Sequence, residues 1–546
     1  MGMYLNPGND KFKRACTSDI YIDKSGLISN INKLIDKENN CISVSRPRRF
    51  GKSMTANMLT AYYDKECDSS DLFDKLKIAQ DIQYKKHLNK YNVISLNMQD
   101  FVSLIPDIDE LILYVQNKLL KELRKKYYQV LDNDEQFLSV ALSEIYEETR
   151  EGFIFIIDEW DCILRNRKYT QNDYETYLDF IRNLFKDKAY VSLVYMTGIL
   201  PIKKYGTHSA LNMFDELSMI QPGKYAEYIG FTEDEVIGLC QDYRTSFDSM
   251  KEWYDGYTFR QFKEGALIVP PEQMTSENSE LVHIYNPKSV VDSIHNQRFA
   301  NYWTLTETYE ALRVYMDMNY QGLKNAIISM LAGESVKIDT DAFQNDMQTF
   351  GSKDDVLTLL VHLGYLSYDF VSRKVCIPNV EIRSEFIRAM KGSDWREVVK
   401  AVENSDILLQ ATWNKDCEIV AQLLDQCHEE NSSILTYNDE NSLSCVISLA
   451  YYNAMNEYTK IREFPTGKGF ADIVFLPRRH SGKPAMIVEL KYDKTANGAI
   501  EQIYNQKYPN ALKEYAGNML LVGINYDKKS KKHECIIEKY EKDIDK

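Results

Sequence analysis

Two stretches of the chain set out side chains at spacings suited to phosphate chemistry. The first is Ser45-Arg46-Pro47-Arg48-Arg49-Phe50-Gly51-Lys52-Ser53, directly after the apolar run Cys41–Val44. Gly51 lets the backbone turn and approach phosphate oxygens. Lys52 offers an ammonium to the β- and γ-phosphates, and Ser53 offers a hydroxyl to Mg²⁺ at the start of a helix. Met54, the next residue, is counted with this nucleotide-binding set. Arg46 stands where the GxxxxGKS pattern wants glycine, so the match is imperfect. Farther on, Phe153–Ile157 is an unbroken apolar run that ends in Asp158-Glu159. Such a run reads as a strand buried on both faces. A carboxylate at its end is costly unless a cation or donors satisfy it. Asp158 is expected to hold Mg²⁺ and Glu159 to polarise the attacking water, with Asp161 in support. Thr197, just after the run Val191–Met196, is placed to sense the γ-phosphate.

The second stretch pairs Asp472, near the start of an apolar run, with Glu489 and Lys491 in Val488-Glu489-Leu490-Lys491. Residues i and i+2 of a strand share a face, so Glu489 and Lys491 point together while Val488 and Leu490 point into a core. Asp472 on a neighbouring strand can face Glu489. Two carboxylates bind one or two Mg²⁺ ions. The lysine orients water or helps deprotonate it, and offsets charge on the phosphorane. Those are the parts needed for phosphodiester cleavage, and the three groups are expected to converge at one sheet end open to solvent. Glu440, heading an apolar helix, is either a third metal ligand or a charge favoured by the helix dipole.

The elements needed to hold these groups can be read from the periodicity. Cys41–Val44, Val93–Met98, Phe153–Ile157 and Val191–Met196 are short apolar runs. Amphipathic stretches such as Asp107–Gln129 and Glu135–Arg150 lie between them. Strands alternating with helices predict a mainly parallel three-layer α/β sheet. From about Tyr228 the strand pattern fades and helices are expected to about Met330. They begin with a capping box, Thr232 and Glu235. Asp354–Leu363 reads as a helix, Tyr365–Phe370 and Lys374–Ile377 as a hairpin, and Glu381–Lys391 as a closing helix, which together suggest a winged-helix module. Ser393–Cys427 reads as a helical connector and Asn441–Asn456 as an apolar helix. Strands are expected at Tyr458–Glu463, Ala471–Leu476, Ala485–Lys491 and Asn518–Ile524, with helix over Asn497–Tyr508 and Pro509–Ala516.

Bulk properties narrow the class. Hydrophobic residues at 44% and charged residues at 27% describe a soluble globular chain, and 546 residues call for several domains. No apolar run is long enough to span a bilayer. The N-terminal stretch has no apolar core, so no secretory signal is expected and a cytoplasmic protein is. The ten cysteines form no CxxC pair and the eight histidines no HxH or HExxH cluster. A net charge of −15 argues against a generic nucleic-acid coat, yet Glu457–Lys546 carries 17 Lys/Arg against 13 Asp/Glu. Lys528-Lys529-Ser530-Lys531-Lys532 can touch phosphate or simply form a solvated turn. Trp253-Tyr254 and Tyr302-Trp303 read as packing rather than base-stacking platforms.

Seven segments occur in order: YIDKSGLI (Tyr21–Ile28), SRPRRFGKS, FIIDEWD, TGILPIKKYG (Thr197–Gly206), GFTEDEV (Gly230–Val236), EWYDGYTF (Glu252–Phe259) and IYNPKSVV (Ile284–Val291). Together they resemble the bacterial AAA-ATPase-like proteins fused to a PD-(D/E)XK nuclease-superfamily domain. The resemblance covers nearly the whole chain. It implies that Arg46 is a family variant of the loop, and that Arg48 and Arg49 are phosphate contacts or structural arginines. Gly467, Lys468 and Gly469 ahead of Asp472 are similar to the family pattern. Gln502 and Tyr508 resemble the Q…Y element of RecB-like nucleases, which adds Gln502 to the catalytic set.

The resulting expectation is an α/β protein with three parts. These are a P-loop AAA-type three-layer ATPase core over 1–227, a helical lid and winged-helix-like region over 228–392, and a connector with a restriction-endonuclease-like PD-(D/E)XK α/β domain over 393–546. ATP and Mg²⁺ are the expected cofactors. Nucleic acid is the expected partner, DNA ahead of RNA. No membrane is expected, and self-association into a homo-oligomer is left open. The competing reading is a nucleotide-regulated switch or scaffold whose second domain binds without cutting. A small-molecule kinase is disfavoured by the D…ExK segment.

Overall fold

A computed structural model describes the chain except residues 1, 132–135, 203–210, 264, 304–309, 319, 346, 392–394, 432–439, 466–469, 479–480, 510–511, 513–517 and 541–546. The Cα packing separates two units. One joins Met1–Glu307 to Lys337–Ile382, and the other joins Thr308–Val336 to Arg383–Lys546.

The first unit is built on a five-stranded sheet of β1 (Cys41–Ser45), β2 (Asn92–Asn97), β3 (Phe153–Asp158), β4 (Val191–Gly198) and β5 (Asp215–Leu217), in the order β2-β3-β4-β1-β5. Every pairing in it is parallel. The central strands β1, β3 and β4 are buried along their whole length, which explains their unbroken apolar sequence. The parallel α/β expectation holds, and Asp158 and Thr197 stand side by side in the β3–β4 register. Helix Ile108–Lys126 is capped by Asp107, whose carboxylate accepts from Glu110 N at 3.0 Å, and it buries Leu111, Val115, Leu119 and Leu123 along one stripe. The next helix spans Leu138–Thr149, and Glu135 of the expected one lies outside the described residues.

Beyond Tyr228 the structure corrects the all-helical expectation. β6 (Phe231–Thr232), β7 (Tyr257–Phe262) and β8 (Ser279–Tyr285) form an antiparallel sheet in the order β6-β8-β7. These strands are only half covered, so Thr258, Arg260 and Glu280 interrupt the apolar pattern that marks a buried strand. The Thr232–Glu235 capping box is formed and opens helix Glu233–Asp242. Tyr254 and Tyr302 join the buried cluster around Val236, Met250 and Val290, with Trp253 packed on it. After the two-residue strand β9 (Val336–Lys337), helix Lys353–Leu363 starts at a Ser352 capping box. It ends at Gly364, whose φ of +89° is the left-handed cap a glycine supplies. The hairpin of β10 (Ser367–Asp369) and β11 (Lys374–Cys376) and helix Val380–Met390 then follow in the expected order.

The second unit holds helices Arg396–Asn414, Cys417–Asn431 and Glu440–Ala450, with a short helix Ala454–Glu457. The expected connector is thus two helices, broken at Lys415, where φ is +61°. A mixed sheet follows: β12 (Tyr458–Pro465), β13 (Phe470–Pro477), β14 (Ala485–Tyr492), β15 (Met519–Asp527) and β16 (Lys532–Lys539), side by side in chain order. Only β14 and β15 run parallel. Helix Ala496–Asn505 makes the crossover a parallel pair needs, and buries Ala499, Ile500 and Ile503. β16 extends the expected helix, three strands, helix, strand order. Its alternation of exposed Lys532 and Glu534 with buried His533 and Cys535 hid it from a search for apolar runs. The basic run Lys528–Lys532 lies at the β15–β16 turn, where Asp527 Oδ1 accepts from the amides of Lys529 and Ser530.

Candidate functional site

The loop after β1 is drawn tightly together. Gly51 caps helix Lys52–Tyr63 with φ of +94°, a conformation that disfavours any side chain. Lys52 is buried and its Nζ donates to Pro47 O at 3.0 Å. Burial pushes the Lys52 ammonium below its ordinary pKa, against the pull of Glu159, Asp158 and Asp161. The Ser53 hydroxyl bonds the Asp158 carboxylate, and Asp158 Oδ1 also accepts from Glu159 N at 3.0 Å. Burial raises the Asp158 pKa, and that hydroxyl bond opposes the rise. A cavity of about 1090 Å³ opens over this cluster, with Arg48, Arg49, Lys52, Ser53, Met54 and Glu159 among its walls. The hydroxyl and carboxylate oxygens of Ser53 and Asp158 are the hard donors that Mg²⁺ takes.

Two expected nucleotide-binding residues stand elsewhere. Arg46 is fully buried and donates from Nη1 to the carbonyls of Ser45 at 2.9 Å, Leu217 at 3.4 Å and Ser218 at 3.0 Å. Its guanidinium lies 5.3 Å from the Phe259 ring centre, and burial pushes its pKa down to about 10. It fastens the loop to β5 rather than walling the cavity. Thr197 is equally buried and donates from Oγ1 to Val44 O at 3.0 Å, across the β4–β1 pair. The side chains of both are engaged within the sheet, away from the cavity.

The sequence reading missed several groups near this loop. Trp303 Nε1 donates to Arg48 O at 3.2 Å, and a Cβ on Gly364 would meet Pro47 Cβ at 2.7 Å. Residues far along the chain therefore press on the loop, and no local pattern announces them. Arg165 was also missed; its spacing of four from Asp161 on a short helix was the available signal. Glu233, Asp255 and His283 bring their ligand atoms within 4.8 Å of one another, a grouping that could hold a cation. Lys251 Nζ already lies 2.6 Å from Glu233 Oε2 there, and the Asp255 bond raises the His283 pKa.

The second site forms where β13 and β14 part. Their register runs from Phe475 opposite Met486 to Ile473 opposite Val488, so the next step sets Asp472 beside Glu489. Asp472 Oδ2 accepts from Leu490 N at 2.7 Å. Lys491 Nζ donates to Glu489 Oε1 at 2.9 Å, and Gln502 Nε2 donates to the same oxygen. Gln502 also donates to the Tyr508 hydroxyl at 3.2 Å, which in turn donates to Phe470 O at 2.8 Å. Glu489 Oε2 is buried with no hydrogen-bond partner among the described residues. Burial and then repulsion from Asp472 raise the Glu489 pKa to about 7, against the Lys491 bond. Only Asp472 is half exposed; Glu489 and Lys491 are buried, which corrects the expectation of an open sheet end. A carboxylate with an oxygen left over, next to a second carboxylate, fits a divalent ion. Glu440 begins its helix, but its side chain lies outside the described residues, as do Gly467–Gly469 and, in the upstream TGILPIKKYG segment, Lys203–Gly206.

The family described as "Predicted AAA-ATPase" matches residues 8–207, and the PD-(D/E)XK nuclease superfamily matches residues 438–535. The chain joins an AAA-ATPase-like region to a PD-(D/E)XK nuclease-superfamily region. The first match takes in the loop and the Asp158-Glu159 strand end, and the second takes in Asp472, Glu489, Lys491 and Gln502. No curated protein matches the chain. A Walker-type ATPase of Pyrococcus abyssi is similar at 11% identity over 67% of this chain and 95% of its own, with a TM-score of 0.33, too low to carry an argument. Among the described residues no helix is long and apolar enough to cross a membrane.

Proposed function

We propose that the chain binds and hydrolyses ATP and cleaves nucleic-acid phosphodiesters with Mg²⁺, the ATPase-like region controlling the nuclease-like one. The observation that carries the reading is Glu489. It is buried beside Asp472 with one oxygen lacking a partner among the described residues, while Lys491 and Gln502 hold the other. Such a group is destabilising unless a ligand uses it. Asp472 and Glu489 would hold the metal, which supplies Lewis-acid charge and an activated water. Lys491 holds Glu489 in place and presents its ammonium to charge developing on the phosphate, and Gln502, itself bonded to Tyr508, donates directly to the same carboxylate. In the ATPase-like region, Lys52 exchanges Pro47 O for phosphate oxygens, Ser53 and Asp158 would hold Mg²⁺, and Glu159 takes a proton from the attacking water. Arg48 and Arg49, which wall the same cavity, serve as further phosphate contacts.

Residues 1–227, 228–392 and 393–546 act as ATPase core, lid with winged helix, and nuclease-like domain. The substrate is DNA rather than RNA, and the setting is the cytoplasm. The test is purified full-length protein incubated with linear and circular DNA and with RNA, with and without ATP and Mg²⁺. Mg²⁺-dependent cleavage that ATP modulates, and that Asp472→Ala removes, supports the reading. ATP turnover with intact nucleic-acid binding but no cleavage of any substrate favours the switch whose second domain binds without cutting.

A further inference from the structure

The carboxylate assigned as base is clamped. Glu159 follows Asp158 with φ of +53°, in the left-handed region that few side-chain-bearing residues adopt. Its Oε2 accepts from Arg165 Nη2 at the end of helix Cys162–Arg165. Arg165 Nε donates to Asp161 Oδ2 at 3.1 Å. The two acids differ in how they are held. Asp161 is fully buried, and its Oδ2 also accepts the amides of Ile199 at 3.0 Å and Leu200 at 2.7 Å, so it is fixed to the end of β4. Glu159 keeps 22% of its side-chain exposure and walls the cavity, as does Arg165. The guanidinium is thus anchored on one side and bound on the other to a group facing the nucleotide cavity.

A carboxylate whose oxygen is engaged by a guanidinium is poorly placed to accept a proton from water. A γ-phosphate offers Nη2 an acceptor of higher charge than a carboxylate. Arginine is also the residue that stabilises charge on a transferring phosphoryl group. We propose that Arg165 is the γ-phosphate sensor of this site. It is an arginine of the same chain that holds Glu159 out of line until a γ-phosphate takes over its Nη2, while Nε stays on Asp161. ADP leaves the clamp shut; ATP opens it and frees the base. The inference rests on the ATP-site reading above and adds its regulation.

The test is calorimetric titration of full-length protein with ATP and with ADP in EDTA, so that no turnover intervenes. Wild type is expected to prefer ATP. Arg165→Gln should lose roughly tenfold in ATP affinity and change ADP affinity by less than about twofold. Glu159→Gln removes the charge that competes for the guanidinium, so it should bind ATP several-fold tighter with ADP unchanged. That gain should vanish in the Glu159→Gln/Arg165→Gln double variant. Arg165→Lys keeps a cation beside Asp161 and repeats the ATP-selective loss, more weakly, if the glutamine variant does not fold. Equal losses for ATP and ADP in Arg165→Gln, or a Glu159→Gln gain that survives without Arg165, would overturn the inference and leave the ATP site standing. A wild type that binds neither nucleotide removes the ATP site itself, and the sensor with it.

Discussion

The two sites meet the cost of concentrated charge in opposite ways. At the phosphate loop Lys52, Asp158 and Glu159 each have a protein partner: Lys52 a carbonyl, Asp158 a hydroxyl and an amide, Glu159 a guanidinium. In the nuclease-like region Glu489 keeps one oxygen without a partner among the described residues, beside Asp472. The first arrangement is stable when empty and must exchange partners to work, which suits a switch. The second is strained when empty and is relieved by the ligand it waits for, which suits a metal site preformed for chemistry.

The largest effects should come from removing the groups in each site that have no substitute. Lys52→Ala is expected to lower ATP turnover by about 10²-fold or more and to weaken ATP binding, measured by phosphate release and by titration. Turnover at the wild-type rate would end the phosphate-loop assignment. Asp472→Ala and Lys491→Ala should each lower Mg²⁺-dependent cleavage by about 10²-fold or more while circular dichroism shows an intact fold. If both variants cleave normally, the proposed site is not where phosphodiesters are cut.

A smaller effect sharpens the contrast between satisfied and unsatisfied charge. The Glu489 pKa is raised from 4.5 to about 7 in the folded chain. Between those values the native state holds a proton that the unfolded chain has released. Stability should therefore fall as pH rises through that window, by about 3 kcal/mol in total. Glu489→Gln removes the titration. The variant should match wild type near pH 4.5 and exceed it at pH 8, read from urea unfolding. Mg²⁺ should stabilise wild type at pH 8 and not the variant. A Glu489 that served chiefly as partner to Lys491 would give the reverse, with the variant less stable at pH 8.

What could be read in the sequence followed from how local each signal is. β1, β3 and β4 were legible because both faces are buried and the apolar run is unbroken. Glu489 and Lys491 were legible because strand period alone sets them on one face. β6, β7, β8 and β16 were not, because a half-exposed strand looks like polar sequence. Nor was the Trp303 bond to Arg48, since 255 residues separate the partners. Arg46 shows a subtler limit. Its place in the GxxxxGKS pattern invited a role at phosphate, and only the position of β5 reveals the carbonyls it binds instead.

Arg46 also gives the smallest expected effect, and it tests a charge held through Nη1 alone, since Nε and Nη2 are buried with no partner among the described residues. Burial lowers its pKa from 12.5 to about 10, so keeping the charge inside the fold costs about 3 kcal/mol at neutral pH. Against this stand three bonds to the carbonyls of Ser45, Leu217 and Ser218, together worth roughly 3 kcal/mol. Arg46→Met keeps most of the volume, sheds the charge and loses the bonds. The two terms nearly cancel, so unfolding free energy should change by less than about 1.5 kcal/mol. ATP affinity should change little, because the guanidinium bonds the carbonyls of Ser45, Leu217 and Ser218 and does not wall the cavity. A tenfold loss of ATP affinity with unaltered stability would instead place Arg46 at the phosphates. The loop would then have to rearrange on binding, and its charges would be less settled than the partners of Lys52 and Asp158 imply.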